Sequence, residues 1–208
     1  MTPTRIRGLT RLTLEEAPIV CHSCVWWQSK TGRRANKDRW IDRAEDDFGP
    51  WGSIYYDDDG RVIGSMQYGP AQLFPRAFEL PAGPPSEDAV IVTCAYLVDR
   101  TSPWVLQSLF LAAIGEAKDR GAAALEAFAY RYPEGETDYE RFLVHRTVFP
   151  RDFLSDFGFR TVRASGQVEL ARLELGGLVP VLEGKRAKVL RALREAFLPE
   201  PVPAPRRP

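Results

Sequence analysis

Residues 89–98, Ala-Val-Ile-Val-Thr-Cys-Ala-Tyr-Leu-Val, run almost without interruption through β-prone apolar side chains. A strand of that kind is expected where both of its faces are covered. Just beyond it, Ser102 offers an N-cap side chain and Pro103 the ring that suits a first helical position. Val105, Leu106, Leu109, Phe110, Ala113, Ile114 and Ala117 then recur at helical spacing as far as Arg120-Gly121. Residues 123–130 form a second β-prone apolar run. Strand, helix and strand in this order predict a βαβ unit with parallel strands and a right-handed crossover.

The flanks of this unit supply the rest of a sheet. Residues 5–13 read as a first strand, with Thr13 and Glu16 as a capping box opening a short helix. Residues 35–47 predict a charged helix that stops at Gly49-Pro50 and turns Trp40 and Ile41 inward. Residues 51–56 and 62–68 flank the turn Asp57-Asp58-Asp59-Gly60, a β-hairpin in which Gly60 suits a positive φ. Residues 70–85, rich in Pro, Gly and Phe, predict a surface loop with aromatic anchors. Residues 151–157 read as a short helix closed by Gly158-Phe159, and 160–163 with 167–175 as the last strands. Ala187, Leu190, Leu193, Ala196 and Phe197 lie on one face of a helix at 183–198. The final ten residues hold five prolines and two arginines and lack the apolar content to fold. The expected fold class is α/β (α+β).

Length and composition narrow the function classes. At 208 residues the chain has room for one domain of ~150 residues plus additions. Basic and acidic residues balance at 28 each, so no net field favours nucleic acid or an anionic membrane surface. The longest apolar run is about half of the ~20 residues needed to span a bilayer. Residues 1–12 contain no apolar core of a secretion signal, which makes a cytoplasmic location the expectation. Three cysteines in a chain this long point to reduced thiols and not to a disulfide framework. The serine-hydrolase elbow, the Walker loop and the dinucleotide fingerprint are absent from the sequence.

The order of elements, the strand 89–98 feeding a helix, and the run Phe149-Pro150-Arg151-Asp152-Phe153-Leu154-Ser155-Asp156-Phe157-Gly158-Phe159 together resemble the GNAT superfamily of N-acetyltransferases over residues 5–175. Cys21-His22-Ser23-Cys24-Val25-Trp26-Trp27 and Gln67-Tyr68-Gly69-Pro70 are similar to segments of a bacterial branch of that superfamily. The resemblance implies a GNAT-like mixed, mostly antiparallel sheet with one splayed parallel pair and flanking helices. The chain then divides into a GNAT-like acyltransferase domain at 1–176, as the resemblance implies, and, from apolar spacing and composition, a terminal amphipathic helix at 177–198 and a Pro/Arg tail at 199–208. The resemblance implies acetyl-CoA as acyl donor, its pantetheine arm held by strand amides at Tyr96, Leu97 and Val98. The pyrophosphate would rest on Arg100, Thr101, Ser102, Trp104, Val105 and Leu106, where a helix start favours an anion. Two features depart from the family pattern: the loop Arg100-Thr101-Ser102-Pro103-Trp104 has no glycine, and Leu154 stands where many relatives carry a proton-donating Tyr.

Each candidate for the chemistry has a plainer alternative. Cys94 is a nucleophile or acid near the acyl position, or a small buried hydrophobe. Glu126, interrupting an apolar strand, is a base with a raised pKa, or the partner of an Arg. Tyr96 and Tyr130, near the ends of neighbouring strands, orient substrate or replace the missing acid, or simply pack. Trp26, Trp27, Trp40 and Trp51 suggest an aromatic-walled pocket for a cationic or flat acceptor, with Trp26, Trp27 and Tyr68 as its substrate-binding candidates, against helix packing as the alternative. Cys21, His22 and Cys24, with Cys94 or His145, are thin material for zinc, and no metal is expected. The function so implied is direct transfer of acetyl to a small-molecule or protein amine in a ternary complex. The alternative is a GNAT-fold binding or assembly module that has lost catalysis. Neither nucleic acid nor a membrane is expected as partner, and a homodimer is compatible with the reading.

Overall fold

A computed structural model describes residues 5–98, 103–131 and 148–176. The terminal helix and tail expected beyond 176 lie outside the described residues, as do Arg100, Thr101, Ser102 and His145. The described strands are β1 (Ile6–Gly8), β2 (Gly52–Tyr56), β3 (Val62–Pro70), β4 (Ala89–Leu97), β5 (Ala124–Tyr130), β6 (Phe149–Pro150), β7 (Arg160–Ser165) and β8 (Val168–Glu174). They form one sheet in the order β1-β2-β3-β4-β5-β8-β7, with the short β6 added to β5. β4 and β5 are parallel, as the βαβ pattern predicts, and every other pair of long strands is antiparallel. β6 falls where the pattern predicts a loop; its two residues pair parallel with Ala129 and Tyr130.

Local chemistry explains the element ends. In the hairpin turn, Asp57 Oδ1 accepts from the Asp59 and Arg61 amides, and Gly60 takes φ +78°. The first helix, α1 (Arg11–Leu14), is opened by Thr10 and not by Thr13. Thr13 Oγ1 accepts from the Thr10 amide at 2.8 Å while Thr10 Oγ1 accepts from Thr13 N, so Thr13 plays the part the pattern assigned to Glu16. After α2 (Ile19–Ser23), helix α3 (Lys37–Asp47) begins two residues later than expected because Asn36 takes the cap, accepting from Arg39 N. It closes on Gly49 at φ +87°, with Trp40, Ile41 and Ala44 buried.

Helix α4 (Pro103–Asp119) buries the seven residues singled out by periodicity. It lies on β3 where Gly64 leaves room: a Cβ there would sit 2.6 Å from Val105 Cγ1. Helix α5 (Arg151–Asp156) joins α4 through a phenylalanine cluster in which Phe110 meets Phe149, Phe153 and Phe157 within 5.0–5.3 Å. A second core contains Trp27, Trp40, Trp51 and Phe74 together with Ile91 and Phe128 from the central strands. The expected loop at 70–85 contains two short 3₁₀ turns, and Phe74 is its fully buried anchor. No described helix is long and apolar enough to cross a membrane.

Candidate functional site

The two central strands part company at a single extra residue. On β3, Gln67 faces Cys94 but the adjacent Tyr68 faces Val92, so Thr93 is a bulge in β4. The parallel ladder with β5 runs from Ala89↔Ala124 to Val92↔Ala127 and ends there. A bulge bends its strand and sharpens its twist, so β4 turns away while β5 continues beside β8 to Tyr130. Thr93 is fully buried and its hydroxyl donates to the Gln67 carbonyl at 3.2 Å, tying the bulge to β3. The result is a wedge between β4 and β5.

Hydrogen-bonding direction decides which amides face that wedge. Val98 N donates to the Ile63 carbonyl at 3.0 Å. Antiparallel pairs alternate between bonded and non-bonded positions, so Tyr96 also turns its amide toward β3, whereas Ala95 and Leu97 turn theirs toward β5. Of the three amides expected to hold pantetheine, only that of Leu97 faces the wedge, and Ala95 joins it. Val98 is corrected: its N–H is already spent on β3. The β5 side of the wedge is partly lined by β6. β8 pairs with the whole of β5 along one edge, so Phe149 and Pro150 must occupy the edge that faces β4.

Beside the wedge, on the sheet face away from α4, lies a cavity of about 310 Å³. Cys94, Ala95 and Tyr96 of β4 form part of its wall, with Ser65 and Gln67 of β3, and Trp26, Trp27 and Trp51 close it. Lys37, in the first turn of α3, reaches this cavity. Its Nζ donates to the Cys24 carbonyl at 2.9 Å and lies 5.1 Å and 5.3 Å from the ring centres of Trp40 and Trp51. Burial lowers its pKa, opposed by the nearby thiols of Cys94, Cys24 and Cys21. Gln67 Oε1 accepts from Gln28 Nε2 at 2.9 Å. The indole N–H groups of Trp27 and Trp51 are buried with no hydrogen-bond partner among the described residues. No aspartate or glutamate lines the cavity among the described residues.

The remaining expected site residues are dispersed. Cys94 is in the cavity wall, but burial pushes its thiol up to about 12, which leaves little thiolate for attack and makes it a weak acid. Glu126 is fully buried and sits opposite Ile91, inside the closed part of the ladder and not at the splay. Its oxygens accept from Ser86 N at 2.8 Å, Ser86 Oγ at 2.7 Å and Arg172 Nη1 at 3.2 Å. Arg172 also pairs with Asp88 and Glu174, so the Arg-partner alternative describes Glu126 and the expected base does not. Tyr130, at the end of β5, donates to Gln167 Oε1. Tyr68 bonds Ser53 Oγ at 2.7 Å and does not line the cavity. Trp26 stands at the rim, edge-on to the buried Trp27, which itself stacks on Phe128.

At the expected phosphate loop, the Trp104 indole meets Tyr55 edge-on at 5.4 Å. Val105 and Leu106 are core residues, so their side chains are turned away from any solvent-borne phosphate. His22 Nε2 bonds the Ala17 carbonyl, and no group of three potential metal ligands exists among the described residues. Lys37, Gln67 and Gln28 escape a sequence reading. Lys37 is one of many charges along α3, and nothing in its spacing sets it apart.

No family model matches the chain, and no curated protein matches it. Among solved structures, an N-acetyltransferase from Staphylococcus aureus Mu50 aligns at 16% identity and TM-score 0.48, covering 82% of this chain and 97% of its own. A GCN5-related N-acetyltransferase from Kribbella flavida aligns at 16% identity and TM-score 0.43, covering 82% and 96%. The candidate acetyltransferase yncA from Salmonella typhimurium, with its cofactor acetyl-CoA, aligns at 15% identity and TM-score 0.45, covering 83% and 94%. The topology is the one the resemblance implies. A backbone likeness at this level says nothing of activity, which rests on the site.

Proposed function

We propose that the protein is an acetyl-CoA-dependent N-acetyltransferase that works by direct transfer in a ternary complex. The observation that carries this reading is the bulge at Thr93, which opens β4 from β5 and turns the Ala95 and Leu97 amides into the gap next to a cavity lined by the same stretch of β4. The slender pantetheine arm of the cofactor would lie along that edge as a substitute strand, with the thioester at the cavity.

In the reaction, a neutral amine nitrogen attacks the thioester carbonyl carbon. The C–N bond forms, the C–S bond breaks with its electron pair on sulfur, and the amine proton passes to the thiolate, giving an acetamide and free CoA. An amide aimed at the developing oxyanion stabilises the tetrahedral intermediate without any particular side chain. Among cavity side chains, Tyr96 and Ser65 carry hydroxyls, and Tyr96 is our candidate for moving the proton that Leu154 cannot. Among the described residues, the cavity has no carboxylate base. Its apolar walls serve instead by disfavouring an ammonium and so releasing the neutral amine.

The second reading, a module without catalysis, is favoured by Phe149 and Pro150 lining part of the wedge. Calorimetric titration with acetyl-CoA and with CoA separates the two. Saturable binding, weakened by Arg100→Ala more than by Arg76→Ala, is the result expected of the transferase. No heat of binding up to millimolar cofactor would overturn it in favour of the module.

A further inference from the structure

The walls of the cavity specify the charge of what enters it. Among the described residues, its ionisable lining consists of Lys37, three thiols and Tyr96. A second cation would meet the Lys37 ammonium with no acid among the described lining residues to compensate. The cation-binding faces of Trp40 and Trp51 are already used by Lys37. The cationic acceptor expected from the tryptophan cluster is therefore the wrong class, because the chain supplies its own cation. What its described lining lacks is a negative charge to partner Lys37. Lys37 commits one of three N–H donors to the Cys24 carbonyl. A half-buried ammonium without a counter-ion is costly, and an anionic oxygen that joins it relieves the cost.

We infer that this cavity takes a carboxylate carried on a flat or apolar body, with Lys37 as its counter-ion. Resting on the transferase reading, the acceptor is then an amine that also bears a carboxylate, such as an arylalkyl amino acid. Its carboxylate lies at Lys37, its body among Trp26, Trp27 and Trp51, and its amine is presented to the Cys94–Tyr96 stretch. A volume of about 310 Å³ holds a small molecule and not an extended peptide.

The test is binding of three near-isosteric probes to the full chain, followed by tryptophan fluorescence in the absence of any acetyl-CoA. The probes are phenylacetate, phenethylamine and phenethyl alcohol. Phenylacetate is expected to bind best. Lys37→Met should weaken it about tenfold or more while leaving phenethyl alcohol unchanged, and Lys37→Arg should retain most of the preference. Near-UV circular dichroism of both variants establishes that the tryptophan packing is intact. Phenethylamine binding as tightly as phenylacetate, no binding of phenylacetate, or an unchanged phenylacetate affinity in a correctly folded Lys37→Met protein would each overturn the inference. Lys37-dependent phenylacetate binding in a chain that ignores acetyl-CoA would uphold the ligand class and remove the transferase reading. Acetyl-CoA binding without phenylacetate binding would do the reverse.

Discussion

Two buried polar groupings flank the central strands, and they are finished to different degrees. Around Glu126, each carboxylate oxygen has a donor, and Arg172 spreads its guanidinium over Glu126, Asp88 and Glu174. Around Lys37, a half-buried ammonium faces thiols and aromatic rings and has no carboxylate partner among the described residues. A fully buried charge that is fully paired is scaffold: it ties β5, β8 and residues 86–88 into one piece. A partly buried charge left without a counter-ion is where a ligand has something to add. Glu126 stands out in the sequence, yet it belongs to the first grouping. Lys37 does not stand out, and it belongs to the second.

The comparison breaks most visibly if charge removal has the same sign in both places. Arg172→Met strands the Glu126 carboxylate in the core and should cost about 3–5 kcal/mol of unfolding free energy in a urea titration. A cost below about 1 kcal/mol would mean that the cluster is not closed. Glu126→Gln, in contrast, should leave acetyl-CoA affinity unchanged.

Next in size is an alkaline effect from a buried hydroxyl that belongs to neither grouping. Burial pushes the Tyr68 phenol up to about 12 from its ordinary 10.0. Between those values the folded chain keeps a proton that the unfolded chain releases, so the contribution of this phenol is full below pH ~10 and is lost as pH rises toward ~12, by on the order of 2–3 kcal/mol. Unfolding followed from pH 9 to 12 should show that decline, and Tyr68→Phe should make it shallower, leaving the shares of Cys94 and Tyr56. An equal slope in the variant would assign the effect elsewhere.

The smallest effect is the most diagnostic. Burial disfavours the Lys37 ammonium, so Lys37→Met should be neutral or should raise stability by roughly 0.5–1 kcal/mol, the usual direction when a site residue is sacrificed. A loss of stability comparable with that of Arg172→Met would make Lys37 a structural cation and erase the distinction.

How much of this was legible from the chain follows from how far each signal reaches. The β4–α4–β5 unit, the hairpin around Gly60, the inward face of α3 and the closing Gly158 are written in residues a few places apart, because strand and helix periods act over one or two turns. The expected capping box missed by three residues, since Thr10 and Thr13 compete with Glu16 on the same local scale. The bulge at Thr93 carries no mark in an apolar run, because a bulge is a mismatch of register with β3 and exists only once the two strands pair. Glu126 reads as a candidate base until Arg172, 46 positions away, is folded against it. Lys37 acquires its role only when Cys24, Trp51 and Cys94 meet above the sheet. The sequence alone determined the elements and the mixed sheet, through periodicity and end signals between near neighbours. Tertiary structure alone decided which charges are paired and which amides face the wedge, because partners and register are set by segments that are distant along the chain.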